Sequence, residues 1–301
     1  MPTPLTIEQP AELLAYLFEA WPETKKKQVR TWLKFGSVTV NGKVVTQFDH
    51  RLKPGDTVAI RAKGLAAPDT ALPSGIRIRH EDDAILVIEK PAGWLSIASP
   101  SEPDRTVYSA LTDHVRKGNR FGRERVWIVH RLDRETSGLM VFAKTEAAKR
   151  VLQEGWESVE KKYLAVVEDM LPKDSGTFDS YLDESNPLKV YVTDESPTTR
   201  RALTRYRVTK KSKATTLVEL TLETGRRHQI RVQLAEAGCP IVGDKKYGAE
   251  TNPIKRIALH ATSLKFKHPT TGGEMSFQSP LPGDLGALMS PGLSSKQTEV
   301  A

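Results

Sequence analysis

The chain has 301 residues, 38% of them hydrophobic, with a formal net charge of +8 and a pI near 9.4. That length suits one large domain or two, and the basic balance favours a polyanionic partner, most often nucleic acid, over a membrane surface. No apolar run approaches the roughly 20 residues that span a bilayer, and the N-terminus lacks a signal or transit pattern, so a cytoplasmic protein is expected.

Leu13, Leu14, Leu17 and Phe18 recur at helical spacing, and Thr24 is placed to cap a second helix with Val29, Trp32 and Leu33 on one face. The opposite face carries Lys25, Lys26, Lys27, Arg30 and Lys34, a cluster that is either a solvated face or a phosphate-binding one. Val38 and Val40 alternate as a strand, Asn41-Gly42 signals a hairpin, and Pro54-Gly55-Asp56 turns into a strand bearing Val58 and Ile60. These elements make a small domain over 1–62. Residues 63–75 mix Ala, Pro, Gly and Ser without periodicity and read as a linker.

Past the linker, Ile76 and Ile78 alternate, and an apolar run over 84–88 leads to Lys90 at a strand end, where Pro91 and Gly93 turn the chain. A helix is expected over 106–115, then a basic loop over 118–125 containing Phe121. The stretch 128–145 sets His130, Arg131, Asp133 and Arg134 in a polar turn ahead of an apolar run short enough for a buried strand. Thr145 caps a helix over 146–154, and 161–167 is a strand with Tyr163, Ala165 and Val167 on one face. The turn-rich region 171–198 is assigned no element. Antiparallel strands are expected over 203–209 and 217–222, and a helix ending at Gly238 with Ile230 and Leu234 inward. The one cysteine, Cys239, excludes an intrachain disulfide and a thiolate-rich metal site. A last strand over 258–267 holds His260, and 284–301 reads as a flexible tail. Runs of strands with few helices between them favour an α+β fold.

Asp133 lies at a strand edge beside a turn, where a carboxylate is both held and reachable. It is either the bonding partner of nearby backbone N–H groups in an Asx-type turn or a site residue. A carboxylate in a pocket needs a partner, because an unpaired buried charge takes up a proton. A neighbouring arginine lowers its pKa by about 1 to 3 units and fixes its orientation. Arg131, Arg134, Arg226, Arg227 and Arg231 are the candidates, and spacing does not choose among them. His130-x-x-Asp133 as half a metal site lacks a second cluster at ligand spacing, and glycosidic hydrolysis wants a second carboxylate.

Several motifs in order, H-R-L-D-R-E-T-S-G, L-x-x-G-R-x-H-Q-I-R, the K-P-A-G turn, the K-x-Y-L-A strand and the I-A-L-H-A…F-x-H-P-x-T ending, resemble the RluA family of RNA pseudouridine synthases. The resemblance spans roughly 76–282 and implies a synthase-type catalytic domain over 76–283, built on a mixed, largely antiparallel sheet. K-x-x-V-R-x-W-L-x-x-G-x-V-x-V-N-G, ending in K-P-G-D, resembles the alpha-L RNA-binding module of a small-subunit ribosomal protein and some tRNA synthetases. By position, the family resemblance makes Asp133 the catalytic nucleophile, attacking the anomeric carbon or assisting loss of a ribose proton, Arg231 its partner, and Tyr163 the tyrosine that lies against the target base and shares in proton handling. It makes Ile230 an apolar pocket residue and Arg134 a residue for RNA contact or base flipping. Lys90, His130 and Arg131 join them as substrate-binding candidates, and Lys25, Lys26, Lys27, Arg30 and Lys34 as RNA-binding ones.

The implied reaction isomerises uridine to pseudouridine in structured RNA, ribosomal RNA favoured and tRNA possible, with no metal or redox cofactor. A monomer without an obligate protein partner is expected. Ser96-Ile97-Ala98 and Gln233 depart from the family pattern and bear on substrate fit. The rival from another class is a non-catalytic RNA-binding or ribosome-assembly factor on the same fold.

Overall fold

A computed structural model describes residues 5–34, 37–60, 70–72, 75–98, 106–116 and 123–290. By its internal contacts the chain divides into two units, 1–88 and 89–301. Most of the expected linker, the expected loop residues 118–122 with Phe121, and the side chain of Lys34 fall outside the described residues.

In the first unit, helices Leu13–Ala20 and Lys26–Lys34 share a core with a small antiparallel sheet. Its strands run in the order Lys43–Val44, Val38–Val40, Thr57–Ile60, Leu5–Thr6. The apolar side chains at helical spacing form that core: Leu13, Leu17 and Val29 are fully buried, with Val38 and Val58 facing them from the sheet. Asn41 and Gly42 both take positive φ, as a two-residue hairpin of primed type requires. The Asn41 amide also donates to Asp56 and accepts from the Thr57 N–H, tying the hairpin to the next turn. Lys25, Lys26, Lys27 and Arg30 are exposed, with Lys26 and Arg30 lying over the Phe18 ring. Strands Arg77–Glu81 and Ile85–Lys90 follow, the second with the apolar run Ile85 to Ile88 fully buried.

The second unit is a mixed sheet. Its path runs Tyr191–Thr193, Ser175–Asp183, Arg200–Lys211, Thr215–Leu222, Glu160–Glu168, Leu259–Lys267, Ser137–Ala143. Neighbours on that path are antiparallel except the last pair, which is parallel, with Ser137 opposite His260 and Gly138 opposite Ala261. Alternation in Thr215–Leu222 turns Val218, Leu220 and Leu222 inward, where they meet Ala165, Ile230 and Leu234. The helix Gln229–Glu236 is buried over Gln229 to Leu234, and its buried polar residues Gln229, Arg231 and Gln233 are hydrogen-bonded internally. Gln233 donates to Ser180 and the Ala202 carbonyl and accepts from Thr204, so its place in the core follows from hydrogen bonding.

Two expectations are corrected. The region assigned no element contains the long strand Ser175–Asp183 and the short Tyr191–Thr193, whose few apolar residues give weak alternation. Residues 291–301 of the expected tail lie outside the described residues, and its first residues, up to 290, include the helix Gly283–Ala287, with Leu285, Leu288 and Met289 buried in the main core. Their i, i+3, i+4 spacing outweighs the Gly-, Ser- and Pro-rich composition around them.

Gly138 sits at the start of the parallel pair with φ +118°, and a Cβ there would lie 2.2 Å from the Ala261 carbonyl oxygen. Gly138→Ala is expected to cost about 2 kcal/mol or more, from backbone strain plus overpacking. The urea midpoint should fall without a change in m.

Candidate active site

The turn carrying Asp133 is fixed through its backbone. Ser96 Oγ accepts from the Leu132 N–H at 3.1 Å and donates to the Leu132 carbonyl at 2.7 Å. Lys90 is fully buried, and its ammonium donates to the carbonyls of Arg134 and Trp94 at 2.9 Å and of Pro91 at 3.1 Å. Three acceptors match the three N–H groups of an ammonium. Burial draws the Lys90 pKa down to about 7, against the opposing pull of Glu135 and Asp133. The Gly93 N–H also donates to the Arg134 carbonyl, and the Thr136 N–H closes the turn on the Asp133 carbonyl. His130 stands behind it, stacked on Trp156 at 4.3 Å and accepting from the Val141 N–H through Nε2.

With its backbone held this way, the Asp133 carboxylate projects away from the turn. Arg231 Nη1 donates to its Oδ2 at 2.9 Å. The other edge of the same guanidinium is taken by Asp244, with Nε to Oδ2 at 2.7 Å and Nη2 to Oδ1 at 2.9 Å. Side-chain exposure is 1% for Asp244, 7% for Arg231 and 26% for Asp133, so the chain of charges starts in the core and ends at an accessible carboxylate. Burial by itself would lower the Arg231 pKa, but Asp244 and then Asp133 reverse this and hold it above its ordinary value. Tyr247 lies beneath the guanidinium, with its ring centroid 5.1 Å from Cζ.

Two further rings border the carboxylate. Tyr163 is half-buried against the core that holds Ile230, beside a bulge where its strand shifts register against Leu259–Lys267. Burial and then the Asp133 charge push its phenol pKa up, so it is protonated at neutral pH. His228 caps the arginine helix in a left-handed conformation, φ +53°. Its Nε2 is 3.8 Å from Asp133 Oδ2 and its Nδ1 is 2.9 Å from the Tyr247 hydroxyl. Burial, reinforced by Arg231, Lys246 and Arg227 and opposed by Asp133, brings its pKa down to about 4.

The structure thus brings Asp133 and Arg231 together, with Tyr163 near enough for the Asp133 charge to act on its phenol. Of the other arginine candidates, Arg227 is bonded to the carbonyls of Glu184, Asn186 and Pro187, and Arg226 to that of Arg201. Arg131 and Arg134 are exposed on the turn. Lys90 is buried and donates to carbonyls of the turn, His130 is half-buried and accepts from the Val141 N–H, and Ile230 is buried in the core against which Tyr163 packs. Ser96, His228, Asp244 and Tyr247 were not foreseen as site residues. The one available signal was chemical: an arginine on an apolar helix face demands a buried carboxylate, and Asp244 supplies it.

Three enclosed histidines are held neutral. Burial brings His130 to about 3, and His228 and His260 to about 4, from 6.5. Because each folded-state pKa lies below the unfolded one, the unfolded chain binds protons first as pH falls. Stability present above pH 6.5 is therefore lost towards pH 4, by about 3 kcal/mol for a group displaced that far. Urea midpoints should drop between pH 7 and pH 4.5, and His260→Asn should reduce the drop.

The sequence profile of the RNA pseudouridylate synthase family matches residues 84–236. The chain is 38% identical to "Ribosomal large subunit pseudouridine synthase D" of Xanthomonas campestris pv. campestris, over 92% of this chain and 87% of that protein. It is 36% identical to "Uncharacterized RNA pseudouridine synthase YlyB" of Bacillus subtilis, over 92% of both. Among solved structures it is similar to human RNA pseudouridylate synthase domain containing 4, with TM-score 0.57 and 27% identity over 69% of this chain and 90% of that one. With the motifs and the mixed sheet already described, these likenesses are sufficient: the chain belongs to the RNA pseudouridylate synthase family, RluA type, and is an isomerase that acts on RNA.

Proposed function

We propose that this enzyme converts uridine to pseudouridine in ribosomal RNA, with Asp133 as the carboxylate that acts on the sugar. One observation carries the reading: Asp133 is the accessible end of an otherwise buried series of ion pairs, oriented by Arg231 through a single oxygen. The N1–C1′ bond of uridine breaks, the uracil turns while held, and a C5–C1′ bond forms. C5 loses a proton and N1 gains one, so the atoms balance without a further reactant. Asp133 either attacks C1′ or removes a ribose proton, and both routes need one carboxylate oxygen free to react.

Tyr163, protonated at neutral pH, serves as a wall for the uracil and a hydrogen-bond donor rather than a base. The uridine must first leave its stack, at a cost of a few kcal/mol. Exposed Arg134, next in sequence to Asp133, suits the role of contacting the vacated space. Lys25, Lys26, Lys27, Arg30 and Lys34 are assigned to phosphate contacts of an alpha-L-type module recognising RNA by backbone and shape. The ribosomal substrate is supported by the names of relatives aligned along most of the chain.

The test is an in vitro transcript of large-subunit ribosomal RNA carrying tritium at uridine C5, incubated without added metal. Wild type should release tritium and form pseudouridine, whereas Asp133→Ala should bind the transcript and release none. Turnover by Asp133→Ala would contradict the role of that carboxylate. Binding without turnover by the wild type would favour a non-catalytic RNA-binding factor.

A further inference from the structure

Tyr247 and His228 form a hydrogen-bonded pair beside Asp133, and a backbone N–H on the Tyr247 hydroxyl sets its polarity. The Val190 N–H donates to the Tyr247 hydroxyl oxygen at 3.0 Å. Tyr247 is buried, so its own O–H proton needs an acceptor, and His228 Nδ1, at 2.9 Å, is in position to be one. An imidazole that accepts through Nδ1 carries its proton on Nε2. That nitrogen lies 3.8 Å from Asp133 Oδ2, the oxygen already bonded to Arg231. No protein donor reaches Asp133 Oδ1 among the described residues.

We propose that His228 is a positioning residue for the isomerisation: Tyr247 fixes it as the Nε2–H tautomer, and with Arg231 it pins Oδ2 of Asp133 so that Oδ1 is the oxygen presented to the sugar. The role rests on the assignment of Asp133 as the reacting carboxylate. The bond from Arg231 Nη1 orients Oδ2, and a second N–H brought onto the same oxygen would further narrow rotation about the Cβ–Cγ bond. At 3.8 Å, His228 Nε2 and Asp133 Oδ2 are not hydrogen-bonded in this structure, and the role requires the separation to close in the substrate complex. His228 is also a non-glycine residue at φ +53°, a conformation that persists only where the surroundings impose it. Its neutrality is consistent with what faces it: Asp133 attracts a proton to the ring, while Arg231, Arg227, Lys246 and burial oppose one.

The test has two parts. In the intact wild-type chain at pH 7, the imidazole ¹⁵N shifts of His228 should show a protonated Nε2 and an unprotonated Nδ1, and the opposite tautomer overturns the proposal. On the tritiated ribosomal transcript, His228→Ala should lower kcat about tenfold or more, with KM within about twofold, as loss of one hydrogen bond to a charged group predicts. Tyr247→Phe should also lower kcat, and add little when combined with His228→Ala, because it acts through that ring. An unchanged kcat in His228→Ala, a loss confined to KM, or additive effects in the double variant would each refute the positioning role. Asp133→Ala is run alongside. If it turns over, the Asp133 assignment fails and His228 has no reacting group to position. If it is inactive while His228→Ala matches wild type, only the positioning role is lost.

Discussion

Arg231 is a buried cation held between two carboxylates, and the site depends on the inequality of those two. Removing a guanidinium from water costs several kcal/mol unless its donors are satisfied. Asp244, almost fully buried, meets that cost through two parallel bonds, and the Tyr247 ring lies beneath the guanidinium plane. Arg231 therefore does not rely on Asp133 for its position. Its remaining Nη1 points in a direction set by Asp244, and Asp133 is oriented by a group that does not move with it. A lone Arg–Asp pair at the surface would leave both side chains mobile and contribute little.

The fold delivers these groups from distant parts of the chain. Asp133 comes from the turn before Ser137–Ala143, Tyr163 from Glu160–Glu168, Arg231 from the first turns of Gln229–Glu236, and Asp244 from the turn beyond that helix. The close parallel approach at Gly138 and Ala261 anchors the first of these strands. Its base is further held by Arg256, which donates to Ser137 Oγ while paired with Asp284. Ser137 in turn bonds His260 Nδ1, and His260 Nε2 bonds Ser279. Asp284 belongs to the short C-terminal helix, so a segment remote in sequence bears on the strand that follows the Asp133 turn.

Local signals were legible where one residue type has one physical use. Thr145 caps its helix through the Ala148 N–H, Asn41-Gly42 turns the hairpin, and the run over 84–88 is a buried strand. Long-range complementarity was not legible. The sequence places Lys90 at a strand end, but nothing local shows that three carbonyls converge on it, two from its own turn and one from Arg134. Ser96 stands out in sequence only as a departure from the family pattern, yet it clamps both backbone groups of Leu132. Spacing left five arginines as possible partners for Asp133, and the choice depends on which helix faces the turn. The strand Ser175–Asp183 was missed because its alternation is diluted by Gly176, Asp179 and Ser180.

On the proposed function, Asp133 is held at Oδ2 and presents its other oxygen to the sugar of an extruded uridine. A crystal structure of Asp133→Asn bound to a uridine-containing ribosomal RNA fragment tests it most directly. The target uridine should lie out of its stack, with its uracil against Tyr163 and its C1′ or C2′ within about 3.5 Å of the side-chain atom that replaces Oδ1. A uridine left stacked, or a ribose seated away from residue 133, would contradict it.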